Sequence, residues 1–171
     1  YFFSVKAYDQ LGNVSEPVST DGFKVDTEAP TVASASIPEG TPLSVFDPLV
    51  VDFILSEAVE TYQVDVTSLQ GDIANIAPED IMVANTISVT FTPPFTSGDQ
   101  ITINVSITDI AGNINTTQYV YTVGYLADYD GDGSFGASDL LSFTAGWNAN
   151  DLTKELGPVT GTAPYFRPTP D

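Results

Sequence analysis

The stretch Ile101-Thr102-Ile103-Asn104-Val105-Ser106-Ile107-Thr108-Asp109-Ile110-Ala111-Gly112-Asn113 decides the fold. The apolar residues Ile101, Ile103, Val105 and Ile107 alternate with Thr102, Asn104 and Ser106. A period of two puts the apolar set on one face of a strand and the polar set on the other. The run then ends in Asp-x-x-Gly-Asn, a turn signal: Gly accepts a positive φ, and Asp and Asn side chains bond their own backbone. The pattern predicts an antiparallel strand with one wet face, feeding a tight hairpin.

Outward from this strand the same alternation recurs in Leu49, Val51, Phe53 and Leu55, in Tyr62, Val64 and Val66, and in Ile87, Val89 and Phe91. Strands are also expected at 31–37 and 118–123, which brings the total to six or seven. Pro38-Glu39-Gly40, Pro93-Pro94 and Ser97-Gly98-Asp99 separate them as turns. A mainly β chain with these numbers predicts a small sandwich over residues 26–124.

The deciding stretch has an earlier copy. Phe3-Ser4-Val5-Lys6-Ala7-Tyr8-Asp9-Gln10-Leu11-Gly12-Asn13-Val14 aligns without gaps on Ile103 to Ile114, at an offset of 100 residues. A strand-built repeat of that length is the size of a sandwich domain, not of a solenoid unit. Residues 1–25 therefore read as the terminal strand pair of a preceding domain. The junction Val25-Asp26-Thr27-Glu28-Ala29-Pro30 reads as a short stiff linker, because Pro30 restricts Ala29 to extended conformations.

Composition narrows the function classes. The 171 residues carry 23 Asp plus Glu against 4 Lys plus Arg, a net charge of −19, with neither Cys nor His. Nucleic acid and anionic membrane surfaces need basic patches, so neither is an expected partner. Without Cys or His there are no disulfides, no thiolate nucleophile, and neither the commonest general base nor the usual zinc ligands. Oxygen chemistry remains: hard-cation binding, or acid/base work by carboxylates. Apolar runs are too short to span a bilayer, so no membrane insertion is expected.

From Asp128 the pattern changes to Asp128-Tyr129-Asp130-Gly131-Asp132-Gly133-Ser134-Phe135-Gly136-Ala137-Ser138-Asp139, followed by Leu140-Leu141-Ser142-Phe143-Thr144-Ala145-Gly146-Trp147. Carboxylates at loop positions 1, 3, 5 and 12, with Gly at position 6, match the twelve-residue EF-hand calcium loop, Asp standing where Glu is usual at 12. The expected Ca²⁺ ligands are Asp128, Asp130, Asp132 and Asp139 with the Ser134 carbonyl. Gly136 at position 9 leaves that place to water. Phe135 is expected to pin the loop to the core, and the following helix to carry Leu140, Phe143, Thr144 and Trp147 on one face.

Two resemblances follow from these residues. Phe53-Ile54-Leu55-Ser56-Glu57-Ala58-Val59 and the stretch from Val105 to Asn113 resemble bacterial immunoglobulin-like domains of cell-surface proteins, and residues 1–25 resemble the end of a fibronectin type III domain. The acidic loop has an exiting helix and no helix before it, since Thr117 to Tyr125 reads as a strand. That arrangement resembles a type I dockerin half-site over about residues 126–150. The resemblance implies a dockerin-like calcium module at 125–171 and a protein partner, a cohesin-like domain. It also implies that Ala137, Ser138 and Leu141 read that partner. Dockerins contain two half-sites; Asp171 is placed to begin a second loop, 43 residues after Asp128 and further than the usual repeat.

Other candidates carry less. Asp9 and Asp109, with Asp26 and Glu28 at the linker, could hold a cation between domains, though capping of tight turns accounts for them better. Asp52 and Asp65, read as outward on neighbouring strands, have the look of a glycosidase pair without an aromatic-lined cleft. Tyr119, Tyr121 and Tyr125 are expected to pack in the sandwich and at its junction with the loop. Asn13-Val14-Ser15, Asn104-Val105-Ser106 and Asn115-Thr116-Thr117 are glycosylation sequons, in keeping with export.

Together these readings point to a non-catalytic segment of a secreted surface protein, in which sandwich spacers carry a calcium module for assembly or attachment. The alternatives are a self-assembling filament or surface-layer subunit, completed by neighbouring copies of itself, and the ancillary C-terminal region of a secreted glycoside hydrolase or protease.

Overall fold

A computed structural model describes every residue except Tyr1, 21–24, 152–153, 155–156 and 170–171. Two short strands, β1 (Ser4–Val5) and β2 (Val18–Ser19), open the chain as an antiparallel pair. Seven strands follow: β3 (Val32–Ala35), β4 (Leu49–Leu55), β5 (Thr61–Ser68), β6 (Glu79–Val83), β7 (Thr86–Phe91), β8 (Gln100–Thr108) and β9 (Ile114–Thr122), with the single-turn helix α1 (Ile73–Ile76) between β5 and β6. Helix α2 (Ala137–Ala149) and a hairpin of β10 (Val159–Thr162) and β11 (Tyr165–Pro168) complete the elements.

The seven central strands form two antiparallel sheets, ordered β3-β4-β7-β6 and β5-β8-β9. Their inward residues build one core. Val51 and Phe53 from β4, Ile87 and Val89 from β7, and Ile103 and Val105 from β8 are all fully buried. Burial of one such side chain stabilises the fold by about 1.5–3 kcal/mol. Phe53 and Tyr119 meet across the two sheets with ring centroids 4.7 Å apart. This mainly β architecture is consistent with a β-sandwich, and the alternations read in β4, β5, β7 and β8 are its inward faces. The outward face of β5-β8-β9 is polar, with Thr116 bonded to Ser106 and Gln118 to Asn104 across the β8/β9 register.

Helix α1, strand β6 and the β10–β11 hairpin were not expected. β6 is an edge strand in which only Met82 is half-buried, so it shows no alternation. The β10–β11 hairpin is tied back to the sandwich: the Ser97 N–H donates to the Phe166 carbonyl (2.8 Å), and Arg167 pairs with the buried Asp72 at 3.3 Å. Asp52 and Asp65 lie on β4 and β5, in different sheets, so they are not a pair on neighbouring strands. Asp52 accepts a bond from Ser88, and Asp65 from Gln63. Tyr121 is fully buried and donates to the Ile37 carbonyl at 2.9 Å, and burial pushes its phenol up to about 12. Tyr119 is half-buried, whereas Tyr125 is more exposed than expected.

The N-terminal hairpin stands in contrast. Residues 2–20 are all exposed. Tyr8 and Val14 form a bridge around the Asp9–Asn13 turn, and Val18–Ser19 then pair one residue out of the register that the second copy keeps. The extra residue falls at Glu16-Pro17, where Pro offers no N–H to a ladder.

Candidate metal centre

The acidic segment folds as a compact loop because its carboxylates collect its backbone N–H groups. Asp128 accepts from Gly131 (2.9 Å), Asp132 (3.2 Å) and Gly133 (2.8 Å). Asp132 accepts from Ser134 (2.8 Å). Gly131 and Gly133 sit at φ +75° and +84°, values that L side chains adopt only with strain.

Asp139, in the first turn of α2, closes the loop. It is completely buried; one oxygen accepts from the Tyr129 N–H (2.7 Å) and the other from Gly136 (2.7 Å). The Gly136 N–H, first among these bonds, holds its carboxyl below the usual carboxylate range, against the opposing effect of burial. Its charge also suits the positive end of the helix. Tyr129 beside it has its phenol pushed up by burial and then by the Asp139 charge. The Tyr129 hydroxyl donates to the Lys154 carbonyl (2.7 Å), and the Lys154 ammonium lies 4.6 Å from the ring centroid. Lys154 thus lies back against the loop.

Carboxylate oxygens of Asp128, Asp130 and Asp139 converge to within 4.8 Å of one another. Such a cluster of oxygens suits a hard divalent cation, whose charge would offset the repulsion among them. Asp132 lies outside this convergent set, its carboxylate turned to the Ser134 N–H. Of the residues expected to read a partner, Ala137, Ser138 and Leu141 are all exposed, and the Ser138 hydroxyl also donates to Asp130. Phe135 does not pin the loop: it is 67% exposed. Leu140 and Trp147 are exposed too, while Phe143 is half-buried with its ring 6.1 Å from that of Trp147. No described element covers these positions, so the apolar side of α2 faces solvent. Asp171 lies outside the described residues.

A second acidic group forms at the linker end of the sandwich from Asp26, Glu57 and Asp109. Asp26 and Asp109 were read from the sequence, and Glu57 was not, because it comes from the loop after β4. Asp9 and Glu28 are not members. Asp109 is buried, and the Asn113 side chain, its leading partner, holds its carboxyl below the ordinary range. Among the described residues no helix is long and apolar enough to cross a membrane.

No protein-family model matches the chain, and no curated protein matches it.

Proposed function

We propose that the chain is a non-catalytic spacer-and-attachment segment of an exported surface protein. In this reading immunoglobulin-like sandwiches carry a calcium-ordered, dockerin-like module that docks a protein partner such as a cohesin-like domain. The immunoglobulin-like part is supported by strand order. Lettering β3 to β9 as A to G turns β3-β4-β7-β6 and β5-β8-β9 into ABED and CFG, the arrangement of a constant-type domain.

The observation that carries the calcium reading is the convergence of Asp128, Asp130 and Asp139 in a glycine-bearing loop closed by a helix N-terminus. Ca²⁺ would add the attraction that these carboxylates lack, so its binding energy becomes folding energy of the loop and α2. The exposed Leu140, Leu141 and Trp147 then form the face offered to the partner.

Calorimetric titration with Ca²⁺ tests this reading. One site is expected, abolished by Asp130→Asn, with unfolding stability raised by about 2.7 kcal/mol at a hundredfold excess over Kd. Trp147 emission should change on chelation. Absence of binding at millimolar Ca²⁺ would sink the calcium reading.

A second reading has its own observation. Among the described residues the exposed hairpin β1–β2 has no third strand, and a neighbouring copy could add one, as in a filament or surface-layer subunit. Light scattering decides: growing assemblies favour it, and a dispersed monomer at high concentration removes it.

A further inference from the structure

We infer that the cavity between the sandwich and the β10–β11 hairpin is a binding site for a neutral mono- or disaccharide. It shares no lining residue with the acidic loop, so the site is independent of calcium binding there.

The cavity measures about 590 Å³, a size within the range of small-molecule pockets. Gln70, Asp72 and Asn75, in the segment from the end of β5 through α1, form one side with Thr96 from the loop after β7. Tyr165 and Arg167 on β11 stand on the other.

Charge narrows the ligand first. Asp72 and Arg167 are the only charged residues in the lining, and they pair with each other at 3.3 Å. In a chain of net charge −19 this site is neutral. A cation would have to compete for Asp72 with three donors already in place: Arg167 and Asn75 on Oδ1, and Thr96 on Oδ2 (2.6 Å). An anion would have to compete with Asp72 for Arg167, against the field of the whole acidic chain.

Hydrogen-bonding capacity narrows it further. A guanidinium has five N–H groups. Arg167 gives Nε to the Pro94 carbonyl (3.1 Å) and one Nη1 N–H to Asp72, which leaves three with no acceptor among the described residues. The Asn75 amide gives one N–H to Asp72 and keeps its other N–H and its oxygen. Gln70 bonds Asp99 through its backbone N–H (3.0 Å), and its side-chain amide makes no bond among the described residues. Donors and acceptors thus stand side by side around the cavity. A sugar ring needs that mixture, because each hydroxyl both donates and accepts. Tyr165, the one aromatic residue of the lining, supplies an apolar surface for the C–H side of the ring.

The test is NMR titration of the full chain, with and without Ca²⁺, using maltose, cellobiose and N,N′-diacetylchitobiose, with phosphate and a neutral Gly-Ser peptide as comparisons. At least one disaccharide should shift the amides of residues 70–75 and 165–167, saturating with a Kd of about 1 mM or below. Gln70→Ala should weaken that binding about fivefold, and Arg167→Lys, which loses the planar fork, should weaken it more. Arg167 also fastens the hairpin, so Gln70→Ala decides if the lysine variant loses the β10–β11 pairing. Three results would each overturn the site: no shift with any of the sugars at about 20 mM, shifts caused by phosphate or peptide and not by sugar, or sugar binding that Gln70→Ala leaves unchanged. Sugar binding that persists in a chain that fails to bind Ca²⁺ upholds this site and removes the calcium reading alone.

Discussion

The turns at Asp9 and Asp109 share a sequence pattern and hydrogen bonds that agree within about 0.1 Å, yet Asp9 is exposed and Asp109 is 3% exposed. The strands leading into them diverge just as far. Phe3 and Val5 are 60% and 69% exposed, whereas their counterparts Ile103 and Val105 are fully buried. Short-range bonding is therefore sufficient for the shape of the turn, and what the turn contributes to stability depends on the sheets packed around it. β8 lies between β5 and β9 and above a second sheet, while among the described residues β1 pairs with β2 alone. An isolated two-stranded pair is marginal in water.

The comparison can be broken in several ways, the largest first. Ile103→Ala should cost about 3 kcal/mol in urea unfolding, since it leaves a cavity in a closed core, and Phe3→Ala within about 0.5 kcal/mol. Equal costs would mean that the hairpin is covered after all. Next come the glycines. Gly12 and Gly112 sit at φ +87° and +88° with nothing within 4 Å of an added Cβ, so alanine meets backbone strain alone. Gly112→Ala should lower global stability by about 1–2 kcal/mol, and Gly12→Ala should alter only the hairpin's own resonances. Asn113→Ala removes bonds to Asp109 and to the linker and should cost about 1 kcal/mol, more than Asn13→Ala in the same melt.

The smallest effect is on pH dependence. Asn13 and Asn113 hold the carboxyls of Asp9 and Asp109 below the usual carboxylate range. A depressed folded pKa means that the folded state binds fewer protons than the unfolded state at acid pH. The contribution is thus present above the unfolded value and lost as pH falls through the folded one. Titration followed by NMR should show both carboxyls depressed. Global unfolding measured from pH 5 downward should register Asp109, through the difference between wild type and Asp109→Asn, and leave Asp9 silent. A matching change for Asp9→Asn would couple the hairpin to the sandwich.

The same division between local and non-local effects governs what could be read in advance. β4, β7 and β8 were legible because one face of each is buried and the other is not, which writes period two into the residues. β6 was not, because an edge strand with one half-buried side chain has no such contrast. The β10–β11 hairpin was missed for a related reason: its attachment runs through Ser97, Arg167 and Asp72, and two of these lie far from it in the chain. In the acidic loop, spacing located Asp128, Asp130 and Asp139 and the glycine turns. It also named Asp132, which turns aside, and Phe135, which faces solvent. Glu57 had no signal at all, since its neighbours Asp26 and Asp109 are remote in sequence.

By itself, then, the amino-acid order determined the alternating strands β4, β5, β7 and β8, the repeated turn and the acidic loop, for each depends on dihedral preferences and bonds within a few residues. Only the tertiary structure decided which copy of the turn is buried, that Asp139 is sealed while Trp147 is bare, and that Arg167 fastens the C-terminal hairpin to Asp72. Exclusion of water is the reason. It requires surfaces from distant parts of the chain to meet, and no local pattern records which of them will.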